Sequence, residues 1–288
     1  MKFALVGGDR RSALLGAMLD GDGHRVSCFA LEKAAMPPSV SRAGCLQSCV
    51  YGADCVVLPV PAESGAALNT PLSDNVLPMP ELISALWPEQ LLIGGKFGDE
   101  SCALAARREL TVVDMLRRSD FAAGNAALTA EAALGLMMAE SERTLQGSRV
   151  LVCGWGRIGK LLTGKLRALG ADVTVAARSA EDRAMAAALG CGAVDYGRLE
   201  GEIGNFDMVV NTVPARVITD PMLCMMADGA MAMELASPPG GFDRRLAENI
   251  GLRVIHAPGL PGKCVPLSAA ALMKETLYRI IREQEERE

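Results

Sequence analysis

Short apolar runs alternate with segments of helical periodicity along the first part of the chain. Arg10–Gly21 has the spacing of a helix closed by a glycine, directly after the first apolar run. Alternation of strand-length and helix-length segments predicts a parallel sheet with helices on its faces. The apolar runs that predict strands are KFALV, HRVSCFA, DCVVLPV, QLLIGG and ELTVVD.

The same alternation returns after a long helical pattern in the middle of the chain. Residues 126–146 show helical periodicity with no strand beside them, which predicts a crossover helix capped by Asn125 or Thr129 and ended by Gly147. Residues 267–288 predict a final helix. The strands predicted in between are RVLVCG, DVTVAAR, GAVDY, NFDMVVNTVP, GAMAMELAS and LRVIHAPG.

These patterns predict an α/β protein with two doubly wound parallel-sheet domains joined by the crossover helix. The first, residues 1–125, is expected to be flavodoxin-like or Rossmann-like and to serve a substrate or partner, with helix 267–288 packing back on it. The second, residues 126–266, is expected to be a Rossmann domain. A length of 288 residues suits two domains. Residues 59–80, rich in Pro, Ser, Asn and Asp, predict a functional or mobile loop.

Composition narrows the possible partners. The formal net charge of −5 argues against nucleic acid, whose phosphates require clustered basic residues. Charged residues and glycines interrupt the apolar runs, so neither a signal segment nor a membrane span is expected, and the protein should be cytoplasmic. Nine cysteines without a CxxC pair, and only two histidines, predict no disulfide framework and no metal site.

The strongest motif is GWGRIG, which follows an apolar strand and opens a helix. Gly154, Gly156 and Gly159 give the spacing that allows a tight turn, close approach of a pyrophosphate and close packing of helix on strand. The helix N-terminus offers N–H groups to phosphate. We therefore predict that these glycines, with Arg157 and Ile158 between them, bind a dinucleotide.

The end of the next strand indicates which dinucleotide is bound. An NAD site usually places an acid there for the ribose 2′-OH, but this strand ends in Ala176 and Ala177. Arg178 and Ser179 follow, and an arginine beside a hydroxyl suits a 2′-phosphate. NADP is therefore predicted, with NAD possible. A solvated charge at a helix start is the alternative role for Arg178.

Three further strands end in proline- and glycine-rich segments at the edge where α/β sheets bind ligands. NTVP places Thr212, Val213 and Pro214 beside the expected nicotinamide ribose. ELASPPGGFD and HAPGLPGKCVP end the other two. His256 is the candidate catalytic acid or base and Lys263 a second catalytic candidate that suits an anionic substrate. A packed histidine and a surface charge are the alternatives.

The chain also opens on a strand, a glycine turn and a helix. FALVGGDRRSALL lacks the third glycine, and the following strand offers neither an acid nor an Arg-Ser ending. We therefore predict one cofactor rather than two. Asp9 and Arg10 are expected to belong to a wall that faces the substrate, where Arg10 and the N–H groups at the helix start would meet a carboxylate; a plain strand–helix turn is the alternative.

Together, GGDRR, GWGRIG, NTVP, ELASPPGGFD and APGLPGKCVP resemble the family of A-type subunits of dipicolinate synthase, over essentially the whole chain. The layout is also similar to two-domain 2-hydroxyacid and alanine dehydrogenases. The resemblance implies NAD(P)-dependent oxidation of a dihydrodipicolinate to pyridine-2,6-dicarboxylate during spore formation, in the cytoplasm of the mother cell. It further implies a flavoprotein-like partner, the B-type subunit of dipicolinate synthase, and a homo-oligomer is expected.

One segment departs from the family pattern. LTAEAA has Leu128 and Ala132 where the family pattern has Pro and Gly, but it keeps Thr129 and Glu131. With Asn125, these two residues complete the predicted substrate-binding set. Two other functions stay open: reduction of a 2-keto acid or imine on the same fold, and NADP sensing by a subunit without catalysis.

Overall fold

Residues 1–286 are described by the computed structural model, and they form two units. The first comprises Met1–Asn125 together with the C-terminal segment from Pro261 onward, and the second is Ala126–Leu260. The sequence placed the second boundary at residue 266. The predicted end of the last helix, residue 288, lies outside the described residues.

The first unit contains a six-stranded parallel sheet in the order β3-β2-β1-β4-β7-β8. A small antiparallel hairpin, β5–β6, lies within the segment predicted to be a loop. The strands are β1 Lys2–Val6, β2 Arg25–Phe29, β3 Ser41–Arg42, β4 Cys55–Val57, β5 Glu63–Ser64, β6 Ala67–Leu68, β7 Leu91–Gly94 and β8 Thr111–Asp114. The helices are α1 Arg10–Gly21, α2 Leu46–Val50, α3 Met79–Ser84 and α4 Asp99–Arg107, with a 3-10 turn at Met115–Arg117.

Strand β1 lies at the centre of this sheet because both of its faces are apolar. Phe3 and Leu5 belong to one buried cluster, and Ala4 and Val6 to another. Successive side chains of a strand point to opposite faces, so a continuous apolar run fits a sheet covered on both sides.

The second unit repeats this architecture with the order β11-β10-β9-β12-β13-β14. Both sheets therefore follow the Rossmann order, which resolves the choice left open for the first domain and confirms the predicted fold class. The strands are β9 Arg149–Cys153, β10 Asp172–Ala176, β11 Gly192–Val194, β12 Met208–Asn211, β13 Met231–Glu234 and β14 Arg253–His256. The remaining helices are α5 Ser119–Glu140, α6 Arg157–Ala168, α7 Ala180–Ala188, α8 Tyr196–Leu199, α9 Asp220–Cys224, α10 Arg244–Asn249, α11 Leu260–Cys264 and α12 Pro266–Glu285, with a 3-10 turn at Ile203–Asn205.

The connecting helix α5 has different ends from those predicted. It begins at Ser119, where the acidic side chain of the first turn suits the helix dipole, so Asn125 and Thr129 lie inside the helix and do not cap it. It ends at Glu140 rather than Gly147. There the hydroxyl of Ser141 accepts from the Arg143 N–H at 3.0 Å, a local bond that competes with helix.

Helix α5 also bears on the expected absence of a membrane span. By length and composition alone it is apolar enough to cross a membrane, with a mean hydropathy of 1.2 over 18 residues. The core helices of many proteins are equally long and apolar, so a single such helix is weak evidence for a membrane span.

Helix α12 packs within the first unit through apolar and charged contacts. Its Leu277 and Ile280 are buried in the same cluster as Phe3. Arg118, just before α5, donates to Asp120 at 2.9 Å and to Glu283 of α12 at 2.7 Å. Hydrogen bonds from Arg118, and a further one from Arg279, hold the pKa of the Asp120 carboxyl well below its ordinary value.

Replacing Asp120 by Asn should destabilise the protein in a pH-dependent way. A group whose pKa is lowered on folding stabilises the native state above its unfolded pKa of 3.8 and loses that effect as pH falls through the folded value. Asp120→Asn should therefore cost about 1–2 kcal/mol near pH 7. The difference in unfolding free energy between the variant and the wild type should shrink as the pH falls from about 4 to about 2.

Urea unfolding over this pH range measures the effect. Asp228→Asn removes an exposed carboxylate in the turn before β13 and serves as the control, with no change expected. A destabilisation by Asp120→Asn that stays constant down to about pH 2 would contradict the role given to this ionised carboxylate.

Candidate functional site

The GWGRIG turn lies between β9 and α6, at the carboxyl edge where the strand order reverses. Gly154 has φ +103°, and a Cβ on it would lie 2.6 Å from Thr212 Oγ1. A Cβ on Gly159 would lie 2.1 Å from the carbonyl oxygen of Gly154. The close packing of α6 on the turn therefore requires Gly159, while the positive φ and the contact with Thr212 require Gly154.

Gly156 is a glycine for a different reason. Its φ of −77° suits any residue, and a Cβ there would meet no atom of residues 1–286 within 4 Å. It caps α6 without a side-chain hydrogen bond, and the first turn carries no acid. Arg157 and Ile158 begin the helix here. The turn thus leaves an open cradle of helix N–H groups, which fits a phosphate.

The NTVP segment forms the adjoining wall. Thr212 Oγ1 donates to the carbonyl oxygen of Cys153 at 2.8 Å, and the Thr212 and Val213 side chains lie against Gly154. Pro214 is exposed beyond them. Burial raises the pKa of the Cys153 thiol to about 12, so this cysteine stays protonated beside the turn.

Strand β10 ends as the sequence indicated, without an acid. Ala176 and Ala177 are buried, and Arg178 and Ser179 are exposed. The hydroxyl of Ser179 caps α7 by accepting from Asp182 N–H. Arg178 therefore presents a cation, and Ser179 a hydroxyl, next to the edge that carries the glycine turn.

A buried carboxylate that the sequence reasoning missed holds the neighbouring loop. Glu234, at the end of β13, is 2% exposed. Its Oε1 accepts from Asn211 Nδ2 at 2.7 Å and from Ala236 N–H at 2.9 Å, and its Oε2 accepts from Gly241 N–H at 2.6 Å. The position of Glu in ELASPPGG, before a glycine-rich loop, was the only sequence signal for this network.

His256 lies beside this network, at the rim of a cavity of about 510 Å³. It is exposed and pairs in register with Glu234 across β13 and β14. Proline and phenylalanine side chains form the apolar part of the wall. Its charged part holds the acids Glu234 and Asp243 and three arginines: Arg216, Arg244 and Arg245. Within residues 1–286 no group of three or more His, Cys, Asp or Glu side chains is placed to hold a metal ion.

The first glycine turn is closed by the protein itself. Gly8 N–H donates to the carbonyl oxygen of Asn69 at 2.9 Å, and a Cβ on Gly7 would lie 2.7 Å from the Leu68 side chain. The segment that carries Asn69 therefore fills the position that a phosphate would need. This agrees with the prediction of one cofactor.

The residues after this turn divide into an inner and an outer arginine. Asp9 caps α1 by accepting from Arg11 N–H, and its carboxylate also pairs with the Arg11 guanidinium at 2.8 Å. Arg11 is 8% exposed, whereas Arg10 is exposed. Asp9 is thus committed within the protein, and sequence reasoning did not distinguish the two arginines.

The remaining predicted residues belong to different elements of the two units. Lys263 is exposed on α11 in the first unit, whereas His256 belongs to the second. Thr129 is buried inside α5, and Glu131 pairs with Lys165 Nζ at 3.2 Å on the protein surface.

Comparison with known families gives one match for each unit. Residues 2–116 match the family described as the N-terminal domain of the A-type subunit of dipicolinate synthase. Residues 131–234 match the family described as D-isomer specific 2-hydroxyacid dehydrogenase, NAD binding domain. The open glycine turn thus lies in an NAD-binding domain of dehydrogenase type, and the closed turn does not.

Similar whole proteins were also found. The A-type subunit of dipicolinate synthase from Bacillus subtilis (strain 168) is 30% identical over 234 residues, 80% of this chain and 78% of that protein. The crystal structure of the same type of subunit from Bacillus halodurans has a TM-score of 0.86 at 26% identity, covering 97% of each chain. An L-alanine dehydrogenase structure has a TM-score of 0.64 at 14% identity, covering 98% of this chain and 89% of that one, which shows the fold alone.

Substitutions at two glycines of the motif, Gly156 and Gly159, should separate nucleotide binding from folding. Gly156→Val should weaken dinucleotide binding at least tenfold, because its side chain would start in the open space of the cradle, and should cost only about 1 kcal/mol of stability as a poorer N-cap than glycine. Gly159→Ala should instead lower the melting temperature, since its Cβ would lie against the Gly154 carbonyl. Nucleotide titration and thermal unfolding of both variants measure the two effects. Unchanged nucleotide affinity in Gly156→Val would exclude the cradle as the phosphate site.

Proposed function

The chain belongs to the family of A-type subunits of dipicolinate synthase, and from this premise we propose that it oxidises a dihydrodipicolinate, or its hydrated precursor, to pyridine-2,6-dicarboxylate with NADP. The observation that carries the proposal is the open cradle at Gly156, in a turn whose other glycines are fixed by packing. A bound nicotinamide coenzyme supplies the hydride acceptor for such an oxidation.

The preference for NADP rests on the residues after β10. Ala176 and Ala177 offer no carboxylate to a ribose 2′-OH, and no acid there repels a 2′-phosphate. The exposed guanidinium of Arg178 and the hydroxyl of Ser179 suit that phosphate through charge-assisted hydrogen bonds. Gly154, Gly156 and Gly159 would hold the pyrophosphate, and Thr212, Val213 and Pro214 would lie beside the nicotinamide ribose.

The proposed oxidation makes modest demands on the protein. One ring carbon of the dihydropyridine loses a hydride and a neighbouring ring position loses a proton, so the ring becomes aromatic. His256, exposed at the rim of its cavity, is the candidate for taking that proton. Arg10 and Lys263, both exposed, are the candidates for holding the two carboxylates.

The biological setting follows the family and belongs to the same proposal. A protein related to one subunit of a synthase is expected to act with a second, here the flavoprotein-like B-type subunit of dipicolinate synthase, and to form a homo-oligomer. Production of a spore-core dicarboxylate places it in the cytoplasm of the mother cell. Thr129 and Glu131 stay in the proposed substrate set on the strength of the family pattern alone, and Asn125 stays with them as a residue of the same helix.

The decisive experiment is a coupled oxidation assay. Purified protein, alone and with the B-type subunit, is mixed with freshly generated dihydrodipicolinate and NADP, and reduced nicotinamide is followed by its absorbance. We expect NADPH and pyridine-2,6-dicarboxylate to form in equal amounts. NADP binding without turnover in either condition would favour a sensing subunit instead. Consumption of NADPH in a second assay with a 2-keto acid, with or without ammonia, and no oxidation of dihydrodipicolinate would favour the reductase alternative.

Arg10→Ala tests the substrate side of the proposal. Loss of one charge-assisted hydrogen bond to a carboxylate should raise KM for the dihydropyridine about tenfold and leave the affinity for NADP unchanged. Arg25→Ala removes an exposed arginine from the amino end of β2, at the opposite edge of the sheet, and should change neither value. Weaker NADP binding with an unchanged KM would instead assign the first turn to the nucleotide.

A further inference from the structure

Arg183 makes an unusual set of contacts within the turn that follows β10. It lies in the second turn of α7, and its Nη1 donates to the carbonyl oxygens of Ala177 at 2.7 Å and Arg178 at 2.8 Å. The same nitrogen lies 2.6 Å from Oδ2 of Asp195. One guanidinium therefore fixes two successive peptide groups, and these carry the side chains expected to meet the adenine ribose.

Asp195 is itself held from the other side. Its Oδ1 accepts from Gly197 N–H at 2.9 Å and so caps α8, while its Oδ2 is bound by Arg183. Because Asp195 follows β11 directly, this ion pair ties the end of β10 to the end of β11. The side chain of Arg183 is 25% exposed and that of Asp195 is 44% exposed.

The neighbouring arginine is in the opposite situation. Arg178 is exposed, and its position depends on its own carbonyl group, which Arg183 holds. Ser179, the next residue, caps α7 through Asp182 N–H and gains its orientation from the same turn. The charge of Arg183 is already offset by Asp195, whereas that of Arg178 faces solvent. A 2′-phosphate would therefore be met by Arg178, at a distance that Arg183 controls.

We propose that Arg183, together with Asp195, is a positioning residue that sets the selectivity of the site for a dinucleotide with a phosphorylated adenine ribose. The inference rests on the proposed NADP-linked function. The positioning role affects only the ratio of the affinities for NADP and NAD, because NAD lacks the 2′-phosphate that Arg178 and Ser179 would meet. A residue that merely supports the fold would instead weaken both dinucleotides together.

The test compares NADPH and NADH dissociation constants, measured by the fluorescence of the reduced nucleotide, for wild type, Arg183→Gln and Asp195→Asn. Both variants should lower the preference for NADPH about tenfold, the effect of one misaligned charge-assisted hydrogen bond, and leave NADH binding within about twofold. Arg183→Lys keeps the charge, but its side chain is one atom shorter than the path to Nη1, the nitrogen that makes all three contacts, so it should not restore the preference.

Arg167→Gln is the matched control. Arg167 donates to the Leu189 carbonyl at the other end of α7, so its loss disturbs the same helix away from the turn. The preference should stay at the wild-type value. Circular dichroism of each variant establishes whether it is folded. If Arg183→Gln does not fold, Arg183→Lys takes its place in the nucleotide titration.

The possible outcomes are distinct. An equal loss of NADPH and NADH affinity, or an unchanged preference, would overturn the positioning role while the NADP assignment stands. Tighter NADPH binding by Asp195→Asn would show that a released Arg183 binds the phosphate directly, which also overturns it. A wild-type protein without any preference for NADPH would overturn the NADP assignment itself, and the positioning role with it.

Discussion

The N–H groups at the start of a helix need hydrogen-bond acceptors, and the two units of the protein meet this need in different ways. Both sheets have the same strand order, so each places a glycine turn and a helix N-terminus at its carboxyl edge. In the first unit the protein supplies the acceptors, with the Asn69 carbonyl on Gly8 and the Asp9 carboxylate on α1. In the second unit Gly156 caps α6 without a side chain. The same architecture is closed by the protein in one unit and open in the other.

A second constraint explains why the edge beside this turn is well formed. Glu234 is surrounded by three donors: the amide of Asn211 and the N–H groups of Ala236 and Gly241. A carboxylate offers only acceptors, whereas a glutamine would turn an NH2 group toward at least one of these donors. The Glu234 side chain therefore holds the loop after β13 in place through these three hydrogen bonds. Glu234 of β13 pairs in register with His256 of β14. Holding this end of β13 therefore also holds the strand end that carries His256.

Local patterns were sufficient for features whose causes are local. The strand β1, the helix α1 and the contact of Gly159 with Gly154 all depend on neighbouring residues, and the sequence predicted them well. Features that depend on distant partners were missed or misplaced. Nothing near Gly8 indicates that Asn69 closes its turn, and nothing near α5 indicates that Arg118 pairs with Glu283, 165 residues away. The start of α5 was predicted too late, because its first turn gains support from α12.

The arginines show most clearly why residue type alone does not identify a ligand site. Two pairs of arginines lie close together in the sequence: Arg10 with Arg11, and Arg178 with Arg183. In each pair one guanidinium is bound to a carboxylate and to backbone carbonyl groups, and the other is exposed. A guanidinium already bound in this way would have to give up those hydrogen bonds to reach a ligand, whereas the exposed one gives up only water. The inner arginines are therefore suited to fixing the local geometry, and the outer ones to meeting a charged ligand. Salt should accordingly weaken the contribution of the outer arginines far more than that of the inner ones.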